Sequence, residues 1–342
     1  MYLGLIGCIE YQERIGPKLN ILVTGAAGFI GRHLTVALSK TQSVRCLVRK
    51  TSDTSGLRNS NVEIAYGDLL IKDSLGPALD GIDLVYHLAG EVYSRHKEDY
   101  YKGNILATQN LLEVCKEKGT GRVIFLGSTG VYKPVATKTL LTEESKCEPV
   151  TFYGKTKLDA EELIKKSNIP WVIVRAPVIY GPHQPPVLNR FFLDAITKRK
   201  IYVFGHSDNL RSLCFVGNLV EGLVLLANKT GLNGKTYILS DNSAYTYDEI
   251  SKTASKIIEK RVEVVQLPVF LGDILWKIYC LMNNVFDLCL VELYAIKKMQ
   301  LQEGFDITKA REEIGYNPSV TLEGGIKSTI DWLRNSQTMG KR

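Results

Sequence analysis

The 342-residue sequence predicts an α/β fold: a doubly wound parallel sheet with a smaller C-terminal lobe interleaved with it. Three observations predict it. Short β-branched apolar runs alternate with helical stretches from residue 20 to about 180, a glycine turn joins the first run to the first helix, and the rhythm breaks after Arg175. Near-continuous apolar strands separated by helices belong to a parallel sheet covered on both faces.

In order, NILVT (Asn20–Thr24) is a strand and Phe29–Leu38 a helix. Strands follow at 44–48, 62–66 and 84–87. A helix over about 99–118 leads to a fifth strand at 122–126, and a helix over 153–166 leads through Ile169-Pro170 to a sixth at 171–174. Pro177, Gly181, Pro182, Pro185 and Pro186 then punctuate a long connection. Helices are predicted at 189–198, 216–227, 247–260 and 321–334, with a strand at 201–204. A strand at 236–239 would return to the main sheet. The organisation is a preamble at 1–19, a dinucleotide-binding core at 20–180 with later contributions near 216–240, and a mainly substrate-binding lobe at 181–338.

Composition places the chain among ordinary globular proteins, at 45% hydrophobic and 23% charged. Its charge of +7 is spread along the chain between acids, a solvated surface and no nucleic-acid footprint. Seven cysteines with no CxxC predict a reduced, cytoplasmic protein without a structural metal. The opening MYLGLIGCIEYQERIG lacks a basic stretch and is interrupted by acids, so it does not read as a signal peptide. The apolar stretch 264–296 is broken by Asp273, Lys277, Asn283, Asn284, Asp287 and Glu292, which predicts packed helices and no transmembrane span.

Gly25, Gly28 and Gly31 in TGAAGFIG sit between the first strand and its helix. They suit a tight turn, close approach of a pyrophosphate, and close helix packing, with the helix N-terminus facing the phosphates: a Rossmann-type dinucleotide site. Phe29 and Ile30 fall in the same turn. Where an acid would meet the ribose hydroxyls the chain has Arg49 and then Lys50, and a guanidinium fork holds a 2′-phosphate, so NADP is favoured over NAD. Asp68, followed by Leu69, ends the third strand and either bonds the adenine amino group or caps the next helix. Leu88, Ala89 and Gly90 follow the fourth strand, where small residues let a dinucleotide lie close.

Tyr153 and Lys157, four apart in YGKTK, share one helix face. A phenol is a weak acid–base group near neutrality, and a nearby ammonium favours its phenolate. Ser128, closing the fifth strand, adds a hydroxyl at the same sheet edge, with Thr129 beside it.

With these motifs the chain resembles an extended short-chain dehydrogenase/reductase of the epimerase/dehydratase group. TGAAGFIG, HLAG at 87–90, Asn104, SxxxY from Ser128 to Tyr132, YGKTK, RAPVIYGP at 175–182 and the FDITKAREEIGYNPSVTLEGG tail occur in order. The resemblance implies that Tyr153 is the acid/base, that Lys157 lowers its pKa and binds ribose, and that Ser128 orients substrate. It also implies that Pro177 and Val178 lie against the nicotinamide, that Asn104 supports the active-site backbone, and that Arg211 grips a diphosphate. His183 and Gln184, in the connection after YGP, are further candidate substrate contacts. A 4,6-dehydratase is disfavoured, because Thr129 and Gly130 stand where that subgroup carries two acids. The expected substrate is a nucleotide-diphosphate sugar, turned over by a 4-epimerase or 4-keto reductase. A hydrophobic alcohol or ketone of the 3β-hydroxysteroid or dihydroflavonol kind is the alternative, and a non-catalytic cofactor-binding protein a third. An Arg211 facing a diphosphate would favour the sugar, and an apolar pocket closed by the helix in the 270s the alternative. Homodimerisation through the helices at 99–118 and 153–166 is expected by analogy with the group.

Overall fold

The computed structural model describes residues 18–58, 60–185, 198–286 and 288–339. Its centre is a seven-stranded parallel sheet. The strands are β1 (Asn20–Thr24), β2 (Ser43–Val48), β3 (Glu63–Tyr66), β4 (Leu84–His87), β5 (Arg122–Ser128), β6 (Trp171–Ala176) and, after an excursion, β10 (Lys235–Ile238). They lie in the order β10-β6-β5-β4-β1-β2-β3, so the chain reverses direction across the sheet between β1 and β4. A crevice opens at that switch point, outside the carboxyl ends of the strands.

Alternation along each strand sends side chains to two separate cores. Ile21, Val23, Ile124 and Leu126 pack toward α1 (Phe29–Leu38) and α6 (Val216–Asn228), while Leu22, Val123 and Phe125 pack toward α4 (Ala107–Lys118) and α5 (Phe152–Lys166). This is why the strands read as continuous apolar runs. The return of β10 to β6, in register from Lys235 opposite Val172, bears out the predicted interleaving.

The remaining elements form the smaller lobe. Strands β7 (Val178–Tyr180), β9 (Leu210–Phe215) and β11 (Ala244–Thr246) make one small sheet, and β8 (Lys200–Phe204) pairs with β12 (Glu263–Leu267) in another. Helices α7 (Tyr247–Ile258) and α11 (Leu322–Met339) cover them over a third core that includes Ile201, Ile250 and Ile326. The stretch 264–296 becomes β12 followed by α8 (Val269–Val285) and α9 (Val291–Met299). Among the described residues, no helix is long and apolar enough to cross a membrane. The predicted helix at 189–198 lies, but for its last residue, outside the described residues, as does the preamble up to residue 17.

The helix predicted over 99–118 is not uniform. A short turn, α3 (Lys97–Tyr100), runs into a π-helical segment at Tyr101–Leu106 before α4 begins. The wider turn coincides with buried Asn104, whose amide is committed to other elements.

Candidate active site

A cavity of about 1080 Å3 lies over the carboxyl edge of the sheet and extends into the smaller lobe. At one end is the β1–α1 turn. Gly25 adopts φ +72°, and a Cβ on Gly31 would stand 2.0 Å from the Gly25 carbonyl oxygen, so the helix enters with backbone against backbone. Gly28 caps α1 with no side chain bonded to the first-turn N–H groups. That leaves an uncapped helix N-terminus at the cavity, a place suited to a pyrophosphate. Phe29, Ile30, Leu88, Ala89 and Gly90 line the same end.

The floor beneath is a buried hydrogen-bond relay. Thr108 Oγ1 donates to the Asn104 carbonyl at 2.6 Å, so it accepts from His87 Nε2 at 2.9 Å. His87 Nδ1 is then the acceptor for Thr24 Oγ1 at 2.8 Å, and Thr24 Oγ1 accepts the Ala89 N–H at 3.2 Å. The directions fix the Nε2–H tautomer. Burial, aided by the charge of Lys157, depresses the His87 pKa to about 3 and keeps the ring neutral. Asn104 extends the relay: Oδ1 accepts the Glu91 N–H at 2.9 Å, and Nδ2 donates to the Glu91 carbonyl and to Thr156 Oγ1, each at 3.0 Å. The role assigned to Asn104, support of backbone at the site, thus has a geometry.

Ser128 is the last residue of β5, paired with Ala176 of β6, and its Oγ accepts the Gly130 N–H at 3.0 Å. Tyr153 opens α5 one residue after Phe152, where the Thr151 hydroxyl caps the helix by accepting the Gly154 N–H at 3.0 Å. Gly154 lets that turn close on the end of β5, since a Cβ there would stand 2.2 Å from the Gly130 carbonyl oxygen. The outcome is that the Tyr153 ring and the Ser128 hydroxyl come together around Gly130 on the cavity wall. Burial raises the Tyr153 phenol above its usual pKa, and the Ser128 hydroxyl opposes that shift. One turn along, buried Lys157 carries Nζ 4.2 Å from the centre of the Phe125 ring. Burial lowers its pKa to about 8, against the pull of Glu161. Glu161 is held in turn by Arg175, Nη2 to Oε2 at 2.6 Å, in a fully buried pair. Pro177 and Val178 line the cavity, and Val178 keeps half its surface exposed there.

Beyond the glycine turn the cavity reaches Arg49, exposed at the end of β2, and Asp68 and Leu69 after β3. Asp68 Oδ1 accepts the Leu70 N–H at 2.9 Å, a turn within the loop; the next helical turn, Lys72–Ser74, has Ile71 at its N-cap and no side-chain cap, so Asp68 does not cap it. Asp53, a carboxylate that no sequence motif marks, lines the same rim. The Ser55 N–H holds its carboxyl below the usual range, with Arg32 and Arg58 adding to the effect.

At the opposite end the lining is mostly apolar: Leu213, Ile250, Tyr279, Ala295 and Met299. Arg211 lies there too, but its fork is occupied. Nε donates to the Tyr247 hydroxyl at 2.7 Å, Nη1 to Glu303 at 2.8 Å, and Nη2 to the Lys298 and Leu301 carbonyls. Lys298 also pairs with Glu303. The expected grip of Arg211 on a substrate diphosphate is therefore not displayed, because an internal carboxylate holds the guanidinium. His183 is not on the cavity wall. With φ +66° it sits against His33 and Trp332, ring centres at 5.8 and 5.4 Å, and near Arg32, so the structure does not bring it to the substrate. Gln184, the other candidate in this connection, does line the cavity, as does Pro185. Thr129 is also on the wall, beside Ser128.

A glycine-cradled helix N-terminus, a parallel sheet edge and a Ser–Tyr–Lys group in one cavity define a nicotinamide-dinucleotide-dependent enzyme. The chain belongs to the NAD dependent epimerase/dehydratase family, whose profile matches residues 21–240. It is 29% identical to an uncharacterized protein of Sinorhizobium fredii, covering 96% of this chain and 99% of that one. It is 26% identical to the decarboxylating sterol-4-alpha-carboxylate 3-dehydrogenase of Mus musculus, over 96% and 94% of the two chains. Among solved structures it is similar to the UDP-glucuronic acid 4-epimerase of Bacillus cereus in complex with NAD, at 27% identity and TM-score 0.75, covering 93% of this chain and 99% of that one.

Proposed function

We propose that the protein moves hydrogen at a hydroxyl-bearing carbon of a nucleotide-diphosphate sugar, as a 4-epimerase or 4-keto reductase, with Tyr153 as acid/base. The observation that carries the chemistry is the Ser128–Tyr153–Lys157 group beside the phosphate turn in a single cavity. A nicotinamide held there by the β1–α1 turn, Lys157, Pro177 and Val178 supplies the hydride acceptor or donor. Ser128 orients the substrate oxygen toward the phenol. Tyr153 takes the hydroxyl proton on oxidation and returns it on reduction, and the ammonium of Lys157 favours the phenolate. The sugar reading is supported by the similarity to the UDP-glucuronic acid 4-epimerase, and by Arg211 and Lys298, whose two positive charges exceed the one negative charge of Glu303.

One observation favours a second reading, a hydrophobic alcohol or ketone. The far end of the cavity is walled by Leu213, Ile250, Met299 and by Tyr279 of α8, and Arg211 is engaged by Glu303. The similarity to a sterol dehydrogenase agrees with it. For the cofactor we read NAD. Asp53 on the adenosine rim opposes a 2′-phosphate as Arg49 attracts one, and the solved relative holds NAD, so the preference for NADP has no support beyond Arg49.

The test pairs ligand binding with a variant. Tyr153→Phe should lower turnover about 10²- to 10⁴-fold while cofactor binding persists. Thermal shifts with UDP-, GDP- and dTDP-sugars and with steroid-like ketones, each with NAD⁺ or NADP⁺, decide the substrate class. A shift with apolar ligands alone sinks the sugar reading, and unchanged turnover in Tyr153→Phe sinks the role of Tyr153.

A further inference from the structure

Helix α8 presents a bare apolar stripe. Phe270, Ile274, Ile278, Leu281 and Val285 recur at spacings of four, four, three and four, which stacks them on one face. They are 61, 50, 41, 53 and 63% exposed. Phe286, 58% exposed, and Leu271 widen the stripe. On the opposite face Tyr279 is buried and lines the cavity. The helix therefore forms a wall with the reaction cavity on one side and a hydrocarbon surface on the other that is uncovered among the described residues.

We infer that this stripe seats the protein on an anionic lipid bilayer, with α8 lying in the plane of the headgroup–acyl boundary. Three features select that occupant. The stripe contains no acid, and the nearest one on the helix, Asp273, is neutralised by Lys297 at 2.7 Å. Two exposed cations border it: Lys277 lies along its edge, and Arg95 stands beside the C-terminal end, where its carbonyl accepts the Cys289 N–H at 2.8 Å. The chain carries +7, which draws it toward anionic headgroups and sets two copies against each other. An apolar face with cations at its border is the pattern of helices that lie on a membrane without crossing it. The expected dimer faces lack such a surface: α4 and α5 expose Gln109, Lys116, Glu117, Lys155 and Lys166. This inference is independent of the substrate reading.

The full-length chain is mixed with vesicles of phosphatidylcholine alone or with phosphatidylglycerol added, and binding is read by flotation. Wild type should float with the anionic vesicles, less so at high salt, and Ile274→Glu/Ile278→Glu should bind about tenfold more weakly or worse. Both positions are solvent-exposed, so the double variant should keep its melting temperature and its NAD binding, which verifies the fold. Failure of wild type to float overturns the inference. So does equal flotation of the variant. If light scattering shows a dimer that the same substitutions split, a second copy covers the stripe. If flotation emerges only after residues 1–17 are removed, the chain's own N-terminal segment covers it. Either result also overturns the assignment.

Discussion

Gly31→Ala tests the link between the β1–α1 turn and the cofactor most directly. The added Cβ would stand 2.0 Å from the Gly25 carbonyl oxygen and 2.7 Å from the Ala26 Cα. Both are backbone atoms, so no side-chain rotation can make room. Restoring van der Waals contact requires α1 and the turn to separate by about 1–1.5 Å. Such overpacking costs about 1–3 kcal/mol, and the gain in helix propensity from glycine to alanine returns about 1 kcal/mol. The fold should survive with a modest loss. Cofactor binding should not, because a displacement of about 1 Å pulls the α1 N–H groups away from the phosphates, and such misplacement costs on the order of 100-fold. The assay is NAD affinity by calorimetry beside urea denaturation of the same samples. Wild-type affinity in a folded Gly31→Ala protein refutes the assignment of this turn as the phosphate site.

Two further predictions concern the buried charges beneath the site. Arg175→Ala leaves Glu161 buried without its partner and should cost about 3–5 kcal/mol, read as a lower urea midpoint, with Arg175→Lys intermediate. No change on removing Arg175 would mean the pair is not desolvated as the structure has it. His87 has a pKa depressed to about 3, so the unfolded chain binds a proton that the native chain refuses between about pH 6.5 and 3. The stability it contributes is complete above 6.5 and is lost as pH falls, by up to about 5 kcal/mol at the acid end. His33, lowered by burial to about 4, acts in the same direction. Urea melts from pH 7 to 4 check this, with a shallower slope expected in His87→Gln, and a flat wild-type profile would contradict a neutral buried His87.

What could be read from the sequence was what is encoded locally. The β1–α1 turn, the alternation of strands and helices, and the four-residue spacing of Tyr153 and Lys157 involve neighbours in the chain, and Phe29–Leu38 forms the helix foreseen for it. Strand ends were read short, because Gly127 and Ser128 carry no apolar signal although they pair with Arg175 and Ala176. The π-helical segment was not legible, since nothing in YKGNIL separates it from an ordinary helix; its Asn104 answers to Glu91 and Thr156 on other elements. Arg211 was read without Glu303, which lies 92 residues away, and His183 was read without Trp332. In each case the missing information was a tertiary partner. Strands β7, β9, β11 and β12 escaped for a related reason: their pairing partners are distant in sequence, β9 lying between β7 and β11 and β12 beside β8.

The division also bears on the substrate. The dinucleotide end is built from backbone turns and a relay whose directions are all determined, from Asn104 through Thr108, His87 and Thr24 to the Ala89 N–H. Such a floor has little freedom to adapt, so the redox chemistry is set independently of what enters the other end. That end is set by Arg211, Lys298 and Glu303, whose charges sum to one positive. A diphosphate reaching it has to compete with the Glu303 carboxylate for the guanidinium, whereas an apolar substrate meets the Leu213, Ile250, Tyr279 and Met299 wall with the guanidinium already held by Glu303. Glu303 is therefore the residue on which the two substrate readings diverge: its removal should strengthen binding of a nucleotide diphosphate if the sugar is the substrate, and should weaken an apolar ligand's fit by leaving Arg211 and Lys298 uncompensated.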